Sequence, residues 1–146
     1  MILLTPEHRA ILRANDMAHR AAQRDGRTEP DPFPVVKFFN PVGAATWLAT
    51  ELDEDDDTLF GLADLGFGCP ELGYFSLSEI ESVRLPGRLE IERDLYFTGR
   101  FPLSVYAEAA RIAGSITQAM PLLSTLARAR GLLAPRDDIE LPPSGG

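Results

Sequence analysis

Val35-Val36-Lys37-Phe38-Phe39, Ala45-Thr46-Trp47-Leu48-Ala49-Thr50-Glu51-Leu52 and Thr58-Leu59-Phe60-Gly61-Leu62-Ala63-Asp64-Leu65 are three short apolar runs enriched in β-branched and aromatic residues. Asn40-Pro41-Val42-Gly43 separates the first pair and Asp53-Glu54-Asp55-Asp56-Asp57 the second. Proline lacks a ladder donor, and Asn, Asp and Gly favour turns. Each interruption therefore ends a strand, and connections this short return the next strand antiparallel to the last.

On the C-terminal side, glycines and Pro70 fill residues 66–73, and Tyr74-Phe75-Ser76-Leu77 reads as a short strand or turn. Ser78-Glu79-Ile80-Glu81 has the spacing of a capping box and predicts a short helix. Leu89-Glu90-Ile91-Glu92 and Leu95-Tyr96-Phe97 read as one more strand, bent at Arg93-Asp94. After Pro102 the period becomes helical. Ser104 serves as cap, Val105, Ala109 and Ile112 share a face, and Gly114 is the stop. Residues 116–133 continue as helix, with Pro121 a kink or a new start.

On the N-terminal side, Leu4-Thr5-Pro6-Glu7 is a helix start with Thr5 as cap and Pro6 in the first turn. Ile11, Ala14, Ala18 and Ala21 recur at helical spacing, which predicts an amphipathic helix over residues 6–23, ended by Gly26. An alanine stripe buries little area, so the helix is expected either against the domain edge or mobile. Thr28-Glu29-Pro30-Asp31-Pro32-Phe33-Pro34 must be extended. The expected class is α+β: a small meander-like antiparallel sheet of about four to five strands, with the N-terminal helix and the C-terminal helices packed on one face or edge. Residues 1–134 form the single domain and 135–146, charged or rich in Pro, Gly and Ser, a flexible tail.

A chain of 146 residues suits one hydrophobic core. No window approaches the roughly 18 consecutive apolar residues of a membrane span, and Met1-Ile2-Leu3-Leu4 meets Thr5-Pro6-Glu7 before a signal core develops. With Cys69 as the single cysteine no internal disulfide forms. A cytoplasmic protein with no membrane partner is expected.

The net charge of −8 is confined to the middle, where residues 31–100 hold 14 acids against five bases (Lys37, Arg84, Arg88, Arg93 and Arg100). Both ends are near neutral. Such a segment repels phosphate backbones and attracts a basic protein surface. Asp53, Asp55, Asp56, Asp57, Asp64 and Glu71 are the candidate acidic patch. Asp53, Asp55 and Asp57 imitate half a calcium loop, but Thr58 stands where that loop needs glycine and Asp64 where it needs glutamate. The nucleic-acid alternative uses Trp47 and Tyr74 as stacking aromatics beside Arg9, Arg13 and Arg20 of the first helix. A metal-dependent nuclease would need Glu51, Asp64, Glu71, Glu92 and Asp94 to converge, which strand pairing opposes. His8 and His19, the only histidines, fall about 16 Å apart on one helix and read as surface residues. No nucleophile elbow and no nucleotide-binding glycine pattern occurs, so no catalytic residue, cofactor or metal is assigned.

Lys37-Phe38-Phe39-Asn40-Pro41, the run from Ala45 to Asp53, Phe60-Gly61-Leu62-Ala63-Asp64-Leu65-Gly66, Pro70-Glu71-Leu72-Gly73-Tyr74, Glu92-Arg93-Asp94-Leu95 and Leu103-Ser104-Val105-Tyr106-Ala107 occur in this order. Together they resemble a family of small bacterial proteins known as a domain of unknown function, common on plasmids, integrative elements and phages. The likeness runs from Leu4-Thr5-Pro6 to about Gly114. It implies a mobile-element context and no assigned catalytic residues. The expected function is a non-enzymatic interaction protein that binds a host or mobile-element protein through its acidic sheet, anti-restriction or anti-CRISPR action being one form. The alternative is single-stranded nucleic-acid binding or cleavage. The alanine stripe of the first helix is a third candidate surface, for self-association, and the oligomeric state is left open.

Overall fold

In the computed structural model, which describes residues 1–133, the three opening runs form β1 (Val36–Phe39), β2 (Thr46–Leu52) and β3 (Thr58–Asp64) of one antiparallel sheet. β4 (Glu71–Ser76) pairs with β3, and β5 (Glu92–Arg93) returns to pair with β1, giving the order β4-β3-β2-β1-β5. The class is α+β with an open antiparallel sheet, as the sequence pattern predicts. The expected tail over 135–146 lies outside the described residues.

Two boundaries differ from the sequence reading. β4 starts at Glu71 rather than Tyr74, because continuous pairing from Ala63↔Glu71 to Thr58↔Ser76 overrides the Gly and Pro content of that stretch. β5 is short because Asp94 makes a turn, its carboxylate accepting the Tyr96 N–H at 2.9 Å, and this turns the chain out of the sheet.

Alternation along the strands creates two cores. On one face Val36, Phe38, Trp47, Ala49 and Leu59 meet Leu12 of α1 (Pro6–Arg24) and Leu77 and Ile80 of α2 (Leu77–Ser82). On the other, Leu48 and Leu62 meet α3 (Leu103–Ala113), α4 (Ile116–Ala119) and α5 (Leu123–Ala129). The helices are thus divided between the faces, and β2, covered on both, is buried throughout. Pro121 separates α4 from α5 by a 3-10 turn, and Gly114 ends α3 with φ 83°.

α1 is turned the other way round from the reading of its apolar stripe. Leu12, Asp16 and Ala22 are its buried residues, with Arg13, Asn15 and His19 half-buried, while Ile11, Ala14 and Ala18 are exposed. The cause lies in the sheet. β1 pairs with β2 only as far as Ala49, so Thr50, Glu51 and Leu52 run on without a β1 partner, and the register with β3 shifts between Ala49 and Glu51. A bulge leaves backbone groups unpaired, and buried carbonyls demand donors. Asn15 donates to the Thr50 carbonyl at 2.9 Å and Arg13 to the Leu52 carbonyl at 2.7 Å. The polar face of α1 thereby replaces the missing part of β1.

Helix caps also moved. Ser76, not Ser78, accepts the Glu79 N–H at 3.2 Å and caps α2. Ser104 lies inside α3, where its N–H donates to Asp31 at 3.0 Å and its hydroxyl bonds the same carboxylate. The proline-rich segment has no regular secondary structure, and it is fixed to α3 by Asp31 and by the Leu103 N–H to Pro32 carbonyl bond of 2.9 Å.

Candidate functional site

The acidic turn between β2 and β3 is largely satisfied from within. Asp55 accepts from the Thr58 hydroxyl at 2.6 Å and from the N–H groups of Thr58 and Asp57 at 2.8 and 2.9 Å. Asp57 accepts from the Ser76 hydroxyl and the Ser78 N–H, both at 2.8 Å, which ties the turn to the start of α2. These bonds, led by the Thr58 and Ser76 hydroxyls, hold both carboxyls below the usual range. Asp53 pairs with Arg20 at 2.9 Å and Asp56 with Arg9 at 2.7 Å. Arg13 pairs with Asp16 at 3.0 Å. The candidate acidic patch and the candidate basic helix thus lie against each other, and each neutralises part of the other. Glu54 is the exposed acid of the turn whose carboxylate makes no hydrogen bond or ion pair among the described residues.

Behind this pair of surfaces sits a clasp. His19 Nδ1 lies 3.0 Å from Glu51 of β2, and Nε2 lies 2.8 Å from Glu29 of the proline-rich segment. A neutral imidazole has one N–H to donate, whereas two carboxylates call for both. The hydrogen bond to Glu51 is the main reason that the His19 pKa is raised. His19 is therefore a cross-link and not a bare surface histidine. The sign follows: a raised folded pKa gives stabilisation that is full below the unfolded value of about 6.5 and is lost as pH rises through the folded value. An NMR titration of the His19 ring should give a midpoint above 6.5, with the Glu29 segment loosening over the same interval. A midpoint at or below that value would remove the clasp.

The remaining candidates are dispersed. Asp64 is 2% exposed and belongs to the interior, accepting the Gly66 and Ile116 N–H groups, each at 2.9 Å. Its signal in the sequence was the glycine two residues on, the mark of an Asx turn. Trp47, 8% exposed, is a core residue against α2, so it offers no ring for stacking. Both sheet faces carry helices, which removes an open aromatic platform. Glu51 is held by His19, Asp64 faces α4, Glu71 is on the β4 edge, and Asp94 lies 3.5 Å from Lys37. Among the described residues no three His, Cys, Asp or Glu side chains converge as a metal site would need. Cys69 is exposed in the loop before β4.

What the strands leave open is the far edge of β4. Leu72 is 49% and Tyr74 77% exposed, with the Tyr74 ring edge-on to Phe60 at 5.1 Å. The Leu77 N–H to Asp57 carbonyl bond places 57↔77 among the hydrogen-bonded pairs. By alternation Leu59↔Phe75 and Gly61↔Gly73 are bonded too, so Leu72 and Tyr74 turn their N–H and C=O groups away from β3. Beside them an open groove of about 740 Å³ runs between β4 and α3, its lining including Leu62, Glu71, Leu72, Glu108, Arg111 and Arg130. Arg130 is paired to Glu108 at 2.6 Å. Arg111 is exposed and makes no ion pair among the described residues. Tyr74 and Glu71 were legible as candidates. The groove was not, because Leu72 read as loop and its arginines come from distant helices.

A family model described as "Protein of unknown function (DUF2958)" matches residues 3–117. No curated protein and no solved structure matches. No helix of the described residues is long and apolar enough to cross a membrane.

Proposed function

Because this chain belongs to the DUF2958 family of proteins of unknown function, its role has to be read from its own surface, and we propose that it is a non-enzymatic interaction protein that binds a host or mobile-element protein through its acidic sheet. We place the contact at the β4 edge. The observation that carries this reading is the pair Leu72 and Tyr74, exposed side by side on an unpaired strand edge. Native sheets blunt such edges with lysines, prolines or bulges, and β4 has none of these within Glu71–Ser76. The negative charge of the segment around it favours approach of a basic partner. The acidic turn, in contrast, is engaged with α1 and α2.

Affinity capture with two variants tests this. Tyr74→Lys should reduce partner recovery more than tenfold, since a central aromatic anchor is worth about 2 kcal/mol or more. Glu54→Gln combined with Asp56→Asn, which leaves Asp55 and Asp57 in place, should keep recovery close to wild type. The reverse pattern would move the contact to the turn and overturn the assignment.

A further inference from the structure

We propose that the β4–α3 groove takes an extended peptide segment as a sixth strand, with an acidic side chain of that segment set on Arg111. This rests on the reading of β4 as the contact edge and adds the chemistry of the occupant. Leu72 and Tyr74 present two N–H and two C=O groups outward in the spacing that an antiparallel or parallel strand requires. Residues of an added strand opposite Leu72 and Tyr74 share their face, because directly paired residues point to the same side of a sheet. On that side lie the apolar wall of Leu62, Leu72 and Ala107 and the guanidinium of Arg111. The other arginine of the groove, Arg130, is matched by Glu108 at 2.6 Å, so among the described residues Arg111 is the cation of the groove without an ion-pair partner, Glu71 of the same lining making no ion pair with it.

The opposite side of the added strand meets different groups. Gly73 carries no side chain, and a Cβ placed there would touch nothing within 4 Å. Glu71, at the end of β4 where it also borders the groove, directs its Cβ to this side by alternation. The fitted segment therefore alternates: apolar and acidic residues over the groove, and residues without negative charge on the outside. A protein whose bulk charge is −8 thus selects a carboxylate locally, a preference its overall charge would not suggest. A second copy fits less well. Pairing β4 with itself would put Leu72 and Tyr74 of each copy over the groove and leave Arg111 without a carboxylate.

The test is fluorescence anisotropy with the full chain and a labelled heptapeptide. The peptide carries valine, glutamate and valine at its second, fourth and sixth positions and threonine elsewhere. A scrambled copy of the same composition and a copy with lysine in place of glutamate are the comparisons. The alternating glutamate peptide should bind at least about tenfold tighter than either. Arg111→Glu, on the helix surface, should reverse the preference toward the lysine copy. Tyr74→Pro removes an outward N–H at an edge position where proline is tolerated, and it should abolish binding with the far-UV circular dichroism unchanged. Equal binding of the scrambled peptide, or an unchanged preference in Arg111→Glu, would overturn the proposal. So would a dimer in sedimentation that Tyr74→Pro dissolves, since the edge would then belong to a second copy. Loss of peptide selectivity alongside continued loss of protein capture in Tyr74→Lys would reject strand addition and leave the contact edge standing.

Discussion

Alanine in place of Gly61 should cost the protein about 4 kcal/mol or more, enough to unfold a large share of a domain of ordinary stability. Gly61 pairs with Ala49 in the central strands, next to the point where the β2–β3 register shifts. A Cβ at this position would lie 1.8 Å from the Leu48 carbonyl oxygen, 2.8 Å from its carbon and 2.9 Å from the Ala49 Cα. All three are backbone atoms, so no rotamer change relieves the overlap. β2 and β3 would have to separate, and with them the two cores that meet on these strands. Gly73 in β4 is the matched control, since a Cβ there meets nothing within 4 Å. Gly73→Ala should stay within about 0.5 kcal/mol of wild type in urea unfolding. Similar midpoints for the two variants would contradict the register described for β2 and β3.

Asp64→Ala is expected to follow, at about 3 kcal/mol. Its carboxylate is buried and receives one N–H from the loop after β3 and one from the first turn of α4, across 52 residues of chain. Hydrogen bonds to a charged acceptor contribute roughly 1.5–3 kcal/mol, and a buried donor left without a partner costs a further 1–3 kcal/mol. Asn at the same place keeps the shape and one carbonyl acceptor, so Asp64→Asn should lose about half as much. Amide exchange at Ile116 should accelerate in both variants, more in the alanine variant. Wild-type stability in Asp64→Ala would show that α4 does not depend on this anchor.

These two residues mark what could and could not be read along the chain. The strands around Gly61 follow from local chemistry: Asn-Pro and the aspartate run end them, and β-type composition fills them. That Gly61 admits nothing larger depends on the approach of β2, which no local pattern encodes. The same holds for α1. Its period and its Thr5 cap were legible, but its orientation was not, because the polar residues face inward to serve the carbonyls of Thr50 and Leu52 where β2 outruns β1. An apolar stripe predicts a buried face only when the surface it meets is apolar. The acidic turn is the third instance. Charge counting located it in the middle of the chain, yet its availability is decided by Arg9, Arg20, Ser76 and Thr58, which reach it from two other elements, α1 and β4, and from its own end. Tyr74 needed only its place on an edge strand, and for that reason it survives from the sequence into the proposed site.

Hydrogen exchange of the protein with and without its captured partner addresses the contact edge most directly. Free Leu72 and Tyr74 amides point away from β3 and should exchange quickly despite lying in a strand. With the partner bound they should become protected by more than tenfold, while the amides of residues 53–57 change little. Protection confined to the acidic turn, with Leu72 and Tyr74 still exchanging freely, would contradict the account.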